Sequence, residues 1–276
     1  MKKLIKGILG LFLPIILTWI ASGFGNIFLT IGVLVISYLV SAFVFRATLL
    51  MLFGMRKYAD NPQKGLSYMR ASYKTGKLNP SFQLYFAYLL LRNRELDEAE
   101  TIINKAIVIG KHTLGEGEIK TSEFNRALIT WKRGDLSSAI VELEELYEDG
   151  YHTSGLYGSL GSFYLINKEY EKALKLAKEG IEFSDTDLIS RDNLGQAYIG
   201  LGMLDEAEEI YDELLPKEPK FMEPYFNYAT VMEKRGNLKE AKEFYENALE
   251  YEEKFLSTIT HEEIKASIDR IDELML

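Results

Sequence analysis

Cysteine is absent from the 276 residues, which removes disulfides, thiolate nucleophiles and Cys-ligated zinc together. Histidine is nearly as scarce, with His112, His152 and His261 far apart in the chain. The nearest approach to a zinc-binding helix, the run from His261 to Lys265, ends in lysine where a second ligand would have to stand. Acids are missing altogether up to Lys57, where the only charges are Lys2, Lys3, Lys6, Arg46, Arg56 and Lys57. The formal net charge is nevertheless −9, so everything after Lys57 is strongly acidic. An acidic body without a basic stripe does not attract phosphate backbones, and nucleic acid is not an expected partner. Gly155, Gly158 and Gly161 lie in a helical pattern and lack both the dinucleotide spacing and the lysine of a phosphate loop. Acid clusters such as Glu142, Glu144 and Glu145, or Glu206, Glu208 and Glu209, face solvent and imply no pocket that would tune them for proton transfer. The expectation is a protein that is not an enzyme and needs no cofactor or metal.

What is present at the start is apolar. Residues 4–21 and 27–45 are each long enough to span a hydrocarbon core of about 30 Å, and only Ser22, Gly23, Phe24, Gly25 and Asn26 separate them. A transmembrane helical hairpin is the natural reading, with Pro14 tolerated inside the first span because a neighbouring helix can satisfy the freed carbonyl. Lys2 and Lys3 before an apolar run, with Ala21, Ser22 and Gly23 at cleavage spacing, also fit a secretory signal peptide. In either case the basic residues lie at the N-terminus or after the second span, which places the remainder on the cytoplasmic side. A multi-pass protein of a bacterial plasma membrane, touching the bilayer through 4–21 and 27–45, is expected.

The rest is organised around residues 188–221. Leu194, Gly195 and Tyr198 share one face of a first helix, Leu204, Ala207 and Tyr211 one face of a second, and Gly202 marks the turn between. Shifting by 34 residues in either direction lands on the same pattern, and units starting at Pro80, Lys120, Ser154, Leu188 and Met222 can be overlaid. Position 20 is then Ala99, Ala139, Ala173, Ala207 and Ala241; position 8 is Ala87, Ala127, Gly161, Gly195 and Ala229; position 17 is Leu96, Leu136, Tyr170, Leu204 and Leu238. In this the chain resembles the tetratricopeptide repeat family, whose 34-residue unit wants small residues at 8 and 20 and Leu or Tyr at 17. Pro219 alone matches the proline favoured at position 32, and Leu146 and Leu214 stand at position 27 where a small residue is preferred. The resemblance implies an all-α protein: the N-terminal hairpin, then a right-handed α-solenoid of about five helix pairs with a C-terminal capping helix.

The expected domains are a membrane anchor over 1–57, a linker and N-terminal capping helix over 58–79, and five units at 80–113, 120–153, 154–187, 188–221 and 222–255. A capping helix over 256–276 completes the chain. Asn61 and Pro62 begin a helix with Leu66, Met69 and Tyr73 on one face, read as an unpaired helix docking on the first unit. Residues 114–119 read as an expelled loop. Thr260 and Glu263 form a capping box ahead of Ile264, Ile268, Ile271 and Met275. The second unit departs most: Glu123, Arg126 and Thr130 occupy its core positions, while Phe124, Ala127, Leu128 and Trp131 form a stripe toward the groove. That stripe is expected to lie under the 114–119 loop or the Pro62 helix, or to bind a partner.

The family's inward positions, carried over, are Leu84, Tyr88, Arg92, Phe124, Leu128, Trp131 and Lys132 toward one end. Toward the other they are Asp192, Gln196, Glu223, Phe226, Thr230, Glu233 and Lys234. The resemblance implies a groove for other proteins or peptides. The set of Lys, Asn and Arg with which some members grip C-terminal carboxylates is not found. The expected function is a membrane-tethered scaffold or adaptor. The alternative is an assembly factor that self-associates as a homo-oligomer or packs within a membrane complex, its groove empty.

Overall fold

The computed structural model describes residues 15–23 and 25–276, and among these every regular element is a helix. Two compact units emerge: one takes in the residues up to Leu90 with Thr101–Leu114, the other Leu91–Glu100 with Gly115–Leu276.

In the first unit, residues 15–22 are helical, and α1 (Ile27–Val44) follows. The expected span over 4–21 falls largely outside the described residues. Asn26 starts α1 by accepting from the N–H groups of Phe28 (3.0 Å) and Leu29 (3.1 Å), satisfying two donors a helix start leaves open. No charged residue occurs in α1, and its one buried side chain is Ser37, while Phe28, Ile36, Leu39 and Phe43 stand exposed. It is the one described helix long and apolar enough to cross a membrane.

Next come α2 (Arg46–Asp60) and α3 (Pro62–Lys74), and here the structure corrects the sequence reading. The Pro62 helix is not unpaired. It packs against α2, whose Gly54 leaves no room for a Cβ beside Met69 Cγ (2.7 Å), and Ser72 Oγ donates to the Ala47 carbonyl across the pair. Met51, Leu66 and Met69 are buried in the seam. Arg46 stands 34 residues before Pro80, so α2 and α3 form a helix pair in the register of the later units, with Gly65 at position 20. Helix α4 (Pro80–Arg92) and α5 (Leu96–Gly110) come next, and within the first unit Tyr73 lies 6.3 Å from Phe86.

The second unit holds α6 (Glu116–Lys132), α7 (Leu136–Glu148), α8 (Ser154–Ile166), α9 (Tyr170–Phe183), α10 (Leu188–Leu201), α11 (Leu204–Leu214), α12 (Glu223–Lys234), α13 (Leu238–Leu249) and α14 (His261–Met275). The expelled loop is a second correction: residues 116–119 are the first turn of α6, with the Glu118 carboxylate accepting from the Gly115 N–H at 2.9 Å. A run containing two glutamates suits the positive end of a helix. Small residues at positions 8 and 20 set the spacing of each pair. A Cβ on Gly195 would meet the Tyr211 ring at 2.6 Å, and Ala207 is fully buried opposite.

Successive units are tied by recurring polar contacts. Buried Asn193 donates to the Gly158 carbonyl at 2.9 Å, and Asn227, at the same position one unit on, donates to Asp192 at 3.0 Å. Arg133 bridges Asp97 and Glu100 at 2.7 Å each, and Arg235 bridges Asp205 and Glu208 in the same register. On α14, Thr260 and Glu263 exchange the capping bonds expected of them, with the Glu263 N–H donating to Thr260 Oγ1 at 3.2 Å. Ile264 and Ile271 are buried there, but Met275 is exposed and Ser267 takes an inner position instead.

Candidate functional site: a groove with two unlike ends

Of the inward positions, Leu84 and Tyr88 belong to the first unit, where Leu84 is buried and Tyr88 half-buried. The others lie in the second unit, and within it they divide into two groups.

The first group gathers at the end of α6. Leu128 is buried, and Phe124 is half-buried with its ring 6.3 Å from Tyr151. Trp131 packs on Phe163 of α8 at 4.8 Å. The stripe of this repeat is therefore covered in part, by Phe163 of the next repeat's first helix and by Tyr151. Thr130, at a position where an apolar side chain is usual, donates to Glu142 at 3.2 Å instead. Lys132 Nζ lies 3.7 Å over the Trp131 ring and 5.3 Å from the Phe255 ring, and donates to the Ser257 carbonyl at 3.2 Å. Burial, helped by the nearby Arg94 charge, lowers its pKa to about 8, while Glu223 and Glu253 pull the other way. Arg94 also approaches the Phe255 ring, at 5.5 Å, and Arg92 is exposed.

The second group turns inward. Asp192 is only 3 % exposed, and its Oδ1 accepts from Asn227 Nδ2 (3.0 Å) and the Tyr211 hydroxyl (3.2 Å). Burial pushes its carboxyl up to about 7 against the pull of those two bonds. Phe226 lies 5.2 Å from Tyr245, and the Thr230 hydroxyl bonds the Phe226 carbonyl at 3.0 Å and Tyr245 Oη at 3.2 Å. Burial raises Glu233, but Arg270 (3.0 and 2.7 Å) and the Tyr245 hydroxyl (2.8 Å) together hold it below the usual glutamate range. Gln196 is half-buried and Lys234 exposed. Glu223 breaks the pattern: its Oε1 accepts from the Thr258 N–H at 3.1 Å, so it faces the same segment that Lys132 touches.

Arg94, Phe255, Ser257 and Thr258 were not singled out by sequence reasoning. Residues 252–260 have no helical period to register them, although Phe255 is the sole aromatic among them. The arrangement offers a lysine bonding a main-chain carbonyl, a glutamate accepting from a main-chain N–H, and two cations near one aromatic ring. Among the described residues no three side chains of the metal-binding types converge.

The family model described as tetratricopeptide repeat matches residues 190–215 and 223–255. The helix pairs over these two stretches are tetratricopeptide repeats, and the remaining pairs share their fold. A tetratricopeptide repeat protein from Parabacteroides merdae ATCC 43184 shares the fold with a TM-score of 0.64 at 11 % identity, covering 92 % of this chain and 96 % of its own. A thermophilic repeat protein of Thermus thermophilus gives 0.54 at 20 % identity over 71 % of this chain and 100 % of its own. Among curated proteins none matches this chain. The tetratricopeptide architecture suggests a protein–protein interaction scaffold.

Proposed function

We propose that the chain is a membrane-tethered adaptor whose repeat groove holds a segment of another polypeptide near the bilayer. The observation that carries the reading is that two inward positions chosen from the repeat register, Lys132 and Glu223, each bond the main chain of a non-helical segment, at 3.2 and 3.1 Å. Main-chain bonds give affinity without demanding one sequence, and the neighbouring aromatic slot adds selectivity. The tether rests on α1, apolar on every side yet buried only at Ser37, with Arg46 stacked on Phe43 at 4.3 Å at its end. Among the described residues such a helix finds little to bury against, and lipid completes it, with the cation reaching the interface. Tethering raises the local concentration of a captured partner at the membrane.

The test is affinity recovery with the full chain in mild detergent. Wild type should recover a partner that the Phe124→Ala, Trp131→Ala, Phe226→Ala triple variant loses; equal recovery would refute groove binding. The cytoplasmic side of the repeats is tested by cysteine labelling. A cysteine at Ser22 should react with an impermeant reagent in intact cells and one at Lys239 should not. A second reading, self-association without a groove ligand, would show as a concentration-dependent oligomer unaffected by the same triple variant.

A further inference from the structure

Residues 250–260 join α13 to α14, and their path is longer than a turn between helices needs. Both ends of this strap are pinned. Tyr251 stacks on Tyr225 at 4.8 Å and donates to its hydroxyl at 2.7 Å, the Tyr251 carbonyl meets His261 Nε2 at 2.8 Å, and the Glu253 carboxylate accepts from the His261 N–H at 2.9 Å. Between the pins, a turn closed by the Ser257 N–H on the Lys254 carbonyl (3.0 Å) carries the Phe255 ring to 5.5 Å from Arg94 and 5.3 Å from Lys132. Every residue from Phe255 to Ile259 is half-buried, so the tip lies on the protein and not in solvent.

What holds the tip is modest. Two hydrogen bonds and the facing cations are each worth on the order of 1 kcal/mol at a half-exposed site. What holds α14 is separate, in its Thr260 cap and buried Ile264 and Ile271. The tip can therefore lift while the cap stays folded. We propose that it is an internal occupant of the Arg94, Trp131 and Lys132 subsite, displaced when a partner segment inserts an aromatic side chain preceded by acidic residues. The strap itself has that chemistry, with Glu252 and Glu253 ahead of Phe255, and the Glu253 charge acts favourably on Lys132. This rests on the groove reading above and adds the class of ligand and the gate it must open.

The probe is a fluorescent peptide of residues 250–262 added to the full chain in detergent. Two opened chains are compared with wild type: Phe255→Ala, and one with 254–258 replaced by Gly and Ser at equal length, which guards against a local effect of the single change. An occupied subsite reduces apparent affinity by the fraction of open molecules, so both opened chains should bind at least about tenfold tighter than wild type. Binding should vanish when Trp131→Ala is added to either, or when the peptide carries Ala for Phe255. Equal binding by wild type and opened chains, or no binding by any, would overturn the inference. If partner recovery still depends on Phe124, Trp131 and Phe226 in that event, the groove reading survives and only the strap falls.

Discussion

The two ends of the inward surface were chosen from the sequence by one rule and do opposite things. At the α6 end, Lys132 reaches outward, only partly paired, to the main chain of a distant segment. At the α10 and α12 end, Asp192 and Thr230 spend their polar atoms on Tyr211, Asn227 and Tyr245, within the stack. Register says which side of a helix a residue occupies; it does not say whether a neighbour has already claimed it. We propose that recognition belongs to the first end, while the second serves cohesion.

The largest expected effect that sharpens this contrast is at the cohesive end. Tyr211 is fully buried, and Tyr211→Ala should cost roughly 3–5 kcal/mol in urea unfolding of the full chain in detergent. Half-exposed Trp131→Ala should cost about half that or less while abolishing partner recovery. If the costs were reversed, the division of labour would be wrong.

Next in size is a pH effect. The Asp192 carboxyl has an ordinary value of 3.8 and stands at about 7 in the fold. Below about pH 4 both states carry the proton and nothing is lost; above it the unfolded chain ionises first, so stability falls until about pH 7 and then levels. The expected decline is roughly 2–4 kcal/mol over that window. Asp192→Asn keeps an oxygen for Tyr211 and Asn227 and should flatten that part of the profile, read by chemical unfolding at several pH values.

Lys132 gives a smaller effect of the other sign. Its folded pKa, about 8, lies below the ordinary 10.5, so the unfolded chain binds the extra proton and stability should rise between those values. Lys132→Met should lose that rise, alter stability at pH 7 by no more than about 1 kcal/mol, and weaken peptide binding. The smallest effect is expected at Arg133→Ala, whose exposed bridges to Asp97 and Glu100 should matter only at low salt.

Legibility followed periodicity. The repeat and its small positions could be read because each position recurs in unit after unit, so one aberrant residue is outvoted. Helix α2 was missed as a partner for α3 because an apolar run leads into it and Phe53 and Pro62 occupy positions 8 and 17 of its unit, disguising the register. Gly65 and Ser72, at positions 20 and 27, carried the signal that could have found it. The first turn of α6 reads as a loop because Gly115 and Gly117 outweigh the glutamates beside them. The strap was invisible for a simpler reason: it is non-helical and touches a residue 125 positions away, a contact that no local pattern encodes.

Site-specific photo-cross-linking in intact membranes puts the central claim to the most direct test. A photoreactive residue at Arg92, an exposed inward position at the recognition end, should yield an adduct with another polypeptide, strengthened by Phe255→Ala, while one at Glu209 or Glu246 on the second helices should not. Adducts of equal yield from both faces, or from the second helices alone, would contradict a groove that captures a partner.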